Sequence, residues 1–259
     1  MITRALSALR SDTRRGRRWR WWGSVTLFTL LVSVWSLATP LMAAPDEPAH
    51  VTKAAAVVRL QFLGTPEPFK KASGISPIIT VHVPAAFGHR RPPCYSNHPD
   101  RPASCQLPIR ASSGRLVPAT TYEGRFPPLY YFFAGLPTLV LHDAAAIRLM
   151  RLVSAVLAGL FLASALESAF RCRRGSHMVL GVVVAATPMA LFLAGTVNPS
   201  GLEIAAAISL WSAGVCLLVD HGARTDRRLL ARAGVAGAVL AQCRGLSLVW
   251  VALIGLCLL

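Results

Sequence analysis

A chain of 259 residues that is 54% hydrophobic and only 15% charged carries too much apolar surface for ordinary soluble domains. Its formal net charge of +16 invites a nucleic-acid reading. The arginines, however, fall in short clusters between apolar runs, a pattern of membrane topology that makes the lipid bilayer the partner and excludes nucleic acid.

Residues 1–21 hold Arg4, Arg10, Arg14, Arg15, Arg17, Arg18 and Arg20, with Trp19 and Trp21 at their end and Trp22 just beyond. A basic flank followed by an aromatic belt reads as a cytoplasmic N-terminus of a multi-pass cell-membrane protein. Residues 22–43 carry no charge and are long enough to span. A cleaved signal peptide is the competing reading, because Leu41-Met42-Ala43-Ala44 offers small residues to a peptidase. Its apolar core is normally only about 7–15 residues, which favours an uncleaved first helix.

Residues 44–148 follow as a large extracytoplasmic loop, rich in proline and glycine. Within it Val51, Ala54, Val58 and Phe62 recur at helical spacing, which predicts a surface helix over 46–63 ended by Gly64 and Pro66. The prolines from Pro92 to Pro108 predict irregular chain. Cys94 and Cys105 are the only cysteines of the loop. An isolated pair in an oxidising compartment favours a disulfide, with two free thiols as the alternative. The segment 126–142 is short for a crossing after Pro127-Pro128 and fits a re-entrant or interfacial helix.

Further spans are predicted at about 149–170, 178–195, 202–219, 233–243 and 246–259. The basic loops at Arg171-Cys172-Arg173-Arg174 and around Arg224 to Arg228 face the cytoplasm only if 126–142 does not cross. The turn Asn198-Pro199-Ser200-Gly201 then shares the outer face with Asp46 and Arg244. Because 246–259 is apolar to its last residue, the sequence reads as the N-terminal part of a longer polytopic protein. The fold class expected is all-α, a polytopic transmembrane helical protein.

Only 11 residues are acidic, and two of them stand side by side in Pro45-Asp46-Glu47-Pro48-Ala49-His50. Helix capping accounts for one carboxylate there, with Pro48 in the first turn, but not for two. His50 lies one turn beyond Asp46, so a carboxylate–imidazole pair at a membrane boundary is available for base chemistry or for a divalent cation. Glu203 opens a spanning helix, where it either interacts favourably with the helix dipole or serves a function. Arg244 interrupts an apolar stretch and calls for an anion such as a lipid phosphate. Arg148 and Arg151 serve either that purpose or headgroup anchoring.

Asp46-Glu47 after the first helix, Pro127-Pro128-Leu129-Tyr130-Tyr131, Ala146-Ile147-Arg148-Leu149 and Gln242-Cys243-Arg244-Gly245 resemble motifs of GT-C-type glycosyltransferases. Pro-Asp-Glu-Pro-Ala-His, the cysteine pair and Val-Asn-Pro-Ser-Gly-Leu-Glu more closely resemble an actinobacterial family of predicted membrane proteins of unassigned function, itself GT-C-related. The resemblance implies a GT-C-like fold and transfer of a sugar from a polyprenyl-phosphate-linked donor at the outer face, in cell-envelope glycan assembly. It implies Asp46 as the catalytic base, with Glu47 beside it in the catalytic pair as a supporting or metal-binding carboxylate. It implies Arg244 as a contact for the leaving phosphate; substrate contacts are also expected from His50, Arg148, Tyr130 and Asn198. Glu203 corresponds to an acidic residue that holds metal in some members. The resemblance fixes no cofactor; a divalent cation, Mg or Mn, is the one the carboxylates suit. The other readings are a transporter or lipid-handling protein, and a non-catalytic membrane protein in which Asp46 and Glu203 only cap helices.

Overall fold

The computed structural model describes residues 14–71, 77–88, 94–95, 98, 100–172, 175–219 and 226–258. The arginines before Arg14, Arg173-Arg174 and the loop at 220–225 lie outside the described residues. The described chain is mostly helical. It contains three helices long and apolar enough to cross a membrane, or four if one bent pair forms a single span. Helix α1 is Arg14–Ala38, α4 is Ala144–Arg171 and α7 is Pro199–Val219. The exposed side of α1 carries Leu27, Leu30, Val34 and Leu37, as a lipid-facing surface requires. The protein is therefore a multi-pass membrane protein.

Two side-chain clusters show that α1 and α4 run antiparallel. Arg20, near the start of α1, donates to Glu167 near the end of α4 at 3.4 Å. Arg151, near the start of α4, donates to the carbonyls of Ser36 and Thr39 at the end of α1 at 2.8 and 2.6 Å. The intervening hundred-odd residues are therefore threaded out and back at one end of the bundle. Asp143 caps α4, its Oδ1 accepting from the N–H groups of Ala145 and Ala146.

That end holds a small α/β layer, which departs from the all-α expectation. Strands β1 (Thr65–Lys71), β2 (Pro77–Pro84) and β3 (Leu116–Thr121) form an antiparallel sheet in sequential order. In β2, Ile79, Val81 and Val83 are buried while His82 between them is exposed, the two-residue period of a half-buried strand. Proline content obscured this alternation in the sequence. Cys94 and Cys105 form a disulfide between β2 and β3 in the chain.

Helix α2 is Glu47–Val57, shorter than the 46–63 read from the sequence. It is also not a surface helix. Every residue of it except Pro48 is buried, in a core shared with Val81, Val83, Phe87, Tyr130 and Ile147. The small side chains Ala49, Ala54, Ala55 and Ala56 let the sheet and α3 (Pro128–Gly135) close on it from two sides. Thr121 Oγ1 donates to the carbonyl of Ala49 at 3.0 Å and Thr52 Oγ1 to that of Phe87 at 2.7 Å, pinning helix to sheet.

The closest approach is at Gly135, where a Cβ would collide with the carbonyl of Ala54 and with Val58. Gly135→Ala is expected to destabilise the protein by about 1–3 kcal/mol, because backbone rather than a flexible side chain must move. Thermal unfolding in detergent checks this; an unchanged midpoint would contradict the packing described.

Residues 178–195, read as one span, are two helices, α5 (Gly175–Ala185) and α6 (Pro188–Ala194), bent by 64°. Thr187 is extended and caps α6 through Ala190 N–H, while Pro188 excludes αR at its predecessor. The remaining apolar runs are α8 (Arg227–Ala241) and α9 (Ser247–Cys257). The 11 described residues of α9 make a shorter apolar helix of about 16 Å.

Candidate functional site

The turn from Thr39 to Asp46 connects α1 to α2 through two non-glycine residues with positive φ, Met42 (62°) and Asp46 (61°). Aspartate tolerates this left-handed conformation better than most residues, although at some cost. It leaves Asp46 at the N-cap of α2 without a side-chain capping bond. Its exposed carboxylate instead accepts from the Tyr122 hydroxyl at 2.7 Å. Capping therefore does not account for Asp46.

Glu47 is placed differently. Its carboxylate is fully buried and receives Arg151 on both oxygens, Nε at 2.7 Å and the second guanidinium nitrogen at 2.6 Å. Val197 N–H donates to the same group at 3.1 Å. Arg151, also fully buried, has its remaining donors on the carbonyls of Ser36, Thr39 and Pro40. This pair joins the exposed last turn of α1, the second turn of α4, the start of α2 and the turn before α7. A carboxylate so occupied is a framework group, and the adjacent acidic residues divide into one that is buried and one that is accessible.

His50, one turn beyond Asp46, is buried, and its ring meets Tyr131 and Glu123 in place of the expected Asp46 carboxylate. Its Nδ1 lies 2.8 Å from the Tyr131 hydroxyl, and its Nε2 lies 4.0 Å from Glu123. Burial, reinforced by Arg244, lowers its pKa to about 3, so the imidazole is neutral. Glu123 follows β3 and is buried; burial first, then the charge of Asp46, raise its pKa to about 7, against the pull of Arg244 and Lys53. Lys53 is wholly buried on α2, donating to the carbonyls of Gly124 (2.8 Å) and Phe62. Burial brings its pKa down to about 8, with Glu123 opposing.

Arg244 closes the cluster from the α8–α9 turn. Its guanidinium lies 5.2 Å over the Phe126 ring, which is itself 6.0 Å from His50. It donates to Ser200 Oγ at 3.0 Å and lies 3.9 Å from Glu203. Glu203 also accepts from Ser247 at 2.7 Å. A cleft of about 390 Å³ runs from Glu203 and Arg244 along Ile204, Ala207, Leu240 and Trp250. It is apolar except at the end where the two charges stand.

Among the sequence-singled residues, Asp46, His50, Arg244 and Glu203 thus belong to connected parts of one end of the bundle. Tyr130 is buried, its hydroxyl 2.7 Å from Ser154 Oγ, and Asn198 holds the α7 turn by accepting from Ser200 N–H. Arg148 is exposed on α4 and takes no part in the hydrogen bonds of the cluster. Among the described residues no group of three or more His, Cys, Asp or Glu side chains is arranged to hold a metal ion. The sequence reading missed Tyr122, Glu123 and Lys53. The rarity of acids that singled out Asp46 applied equally to Glu123, one residue before Gly124.

The raised pKa of Glu123 predicts a pH effect. Between the ordinary value of 4.5 and about 7 the folded protein binds the extra proton, so this group's contribution to stability falls as pH rises through that window and is level above it. His50 acts oppositely between about 3 and 6.5, so the effect is read as the difference between wild type and Glu123→Gln. The variant is expected to gain stability relative to wild type from pH 5 to pH 8, in unfolding midpoints across that range. A constant difference would contradict the assignment.

No curated protein and no solved structure matches the chain. A family model does, over residues 28–259, from the exposed face of α1 through the site just described to the end of α9. On that coverage, the chain belongs to the family described as predicted membrane protein (DUF2142).

Proposed function

We propose that the protein is a GT-C-like glycosyltransferase acting on a polyprenyl-phosphate-linked sugar, with its sheet-bearing end on the outer face of the cell membrane and its N-terminus in the cytoplasm. The observation that carries the reading is the state of Asp46. It is an exposed carboxylate in a costly backbone conformation, turned from its own helix and held by Tyr122.

In this reading Asp46 accepts the proton of the acceptor hydroxyl or amine. The freed nucleophile attacks the anomeric carbon, the bond from that carbon to the phosphate oxygen breaks, and configuration inverts. Arg244 offsets the charge on the departing phosphate, supported by its place at the charged end of an apolar cleft. Glu47 acts by positioning rather than by touching substrate. His50, neutral, and Glu123 form the floor beneath Asp46. Glu203, engaged by Ser247 and Arg244, orients Arg244.

Arg244→Ala is expected to weaken binding of decaprenyl phosphate to the purified protein by roughly tenfold or more, as loss of a charged hydrogen bond implies. Binding of decaprenol, which lacks the phosphate, should be unchanged. Equal weakening of both would refer Arg244 to packing and remove the phosphate contact.

A further inference from the structure

The opposite end of the bundle holds a second cavity, of about 300 Å³. Arg14, Arg17 and Arg18 line it from α1, Arg171 from α4, and Arg228 and Arg232 from α8. Trp21 and Glu167 complete the wall. We propose that this cavity binds the phosphate headgroup of an anionic phospholipid.

The first observation is the charge balance. Six arginines from three helices converge on one cavity. Among the described residues the carboxylates packed against it are Glu167, which accepts from Arg20 at 3.4 Å, and Asp226, which accepts from Arg171 at 2.6 Å and from Arg228 N–H at 2.8 Å. Both are already committed, and among the described residues the six arginines of the wall outnumber these two carboxylates. Like charges gathered this closely repel unless an anion sits among them. A topology signal needs arginines at the ends of spans, but it does not need them around a common cavity.

The second observation is chemical. Arg171 Nε is buried and has no hydrogen-bond partner among the described residues, although the same side chain pairs with Asp226. A buried guanidinium N–H without an acceptor is costly, and a phosphate oxygen satisfies it.

The third observation selects a lipid over a soluble anion. The cavity lies at the foot of α1, whose apolar residues Leu27, Leu30, Val34 and Leu37 are exposed along its length. Trp19 and Trp22, 71% and 54% exposed, stand at the headgroup level beside it. Arg232 stacks over Trp21 at 5.5 Å, so the aromatic wall is held in place. A headgroup among the arginines leaves acyl chains free to run along α1. The number of guanidinium groups suits a headgroup with two phosphates better than one.

The test uses the full chain in phosphatidylcholine nanodiscs with and without diphosphatidylglycerol, with co-purifying lipid read by native mass spectrometry. Wild type is expected to retain diphosphatidylglycerol. The triple variant Arg14→Gln, Arg18→Gln, Arg228→Gln removes three exposed side chains of the wall. It should lose retention roughly a hundredfold, since each arginine near a headgroup contributes about a fivefold factor. A control triple, Arg101→Gln, Arg110→Gln, Arg115→Gln, removes the same charge at the sheet-bearing end and should retain the lipid. Equal loss in both triples would overturn the proposal in favour of diffuse attraction. Displacement by millimolar inorganic phosphate would overturn the lipid assignment and leave a soluble-anion site.

Discussion

Arg151→Met is expected to cost about 3–5 kcal/mol, the largest stability effect of any single substitution at the sheet-bearing end. The change leaves the Glu47 carboxylate buried with only Val197 N–H to hold it. It also strips the carbonyls of Ser36 and Thr39 of their side-chain donor and leaves that of Pro40 with Ala43 N–H alone. Those carbonyls close the end of α1, where no further helical turn supplies N–H groups. Glu47→Gln should cost less, because an amide still accepts from Val197 and Arg151 keeps its three carbonyls. The double variant should be less destabilised than the two singles added together, because the buried charges are removed together. Unfolding midpoints in detergent, with membrane levels in cells, measure the cycle. Additive losses would show that the pair is not coupled, against a 2.6 Å contact between two fully buried groups.

Asp46→Asn is expected to lower sugar transfer by roughly 10²–10⁴-fold, the range contributed by a positioned general base. The substitution is well suited to the question. Asparagine tolerates the left-handed backbone as aspartate does, so the turn keeps its shape. The side chain is exposed and its hydrogen bond comes from Tyr122 alone, so folding should be unaffected. Tyr122→Phe keeps the carboxylate but frees it to rotate, and should cost roughly tenfold, the worth of one hydrogen bond to a charged group. Membrane abundance of all three proteins belongs beside the activities, since transfer lost together with abundance would indicate misfolding instead.

The helices were legible because span length and arginine placement leave strong marks in sequence. The sheet-bearing end was harder for identifiable reasons. The periodicity of Val51, Ala54 and Val58 is genuine, but α2 is covered on all sides, and an alanine-rich helix buried throughout resembles an amphipathic one when its polar residues have buried partners. Lys53 and His50 are such residues, hydrogen-bonded inside. The alternation of β2 was present in Ile79, Val81 and Val83, yet flanking prolines pointed to irregular chain. The break at Thr187-Pro188 was visible as a proline, but a continuous apolar run outweighed it. At the site, the sequence identified the pair Asp46-Glu47 but not its division of labour. That depends on Arg151, more than a hundred residues away, and on a backbone angle no local pattern encodes. Tyr122 and Glu123 reach Asp46 only through the sheet, which explains why they went unnoticed.

The central claim is that the exposed carboxylate beside Tyr122 drives transfer from a polyprenyl-phosphate donor. The most direct measurement is release of decaprenyl phosphate from a panel of radiolabelled decaprenyl-phosphate sugars. Proteoliposomes containing wild type or Asp46→Asn at equal abundance would be supplied with a cell-envelope glycan acceptor. The account predicts acceptor-dependent release for at least one sugar with wild type and a loss of at least about a hundredfold with Asp46→Asn. Release at wild-type rate by Asp46→Asn, or none by wild type with any sugar, would contradict it.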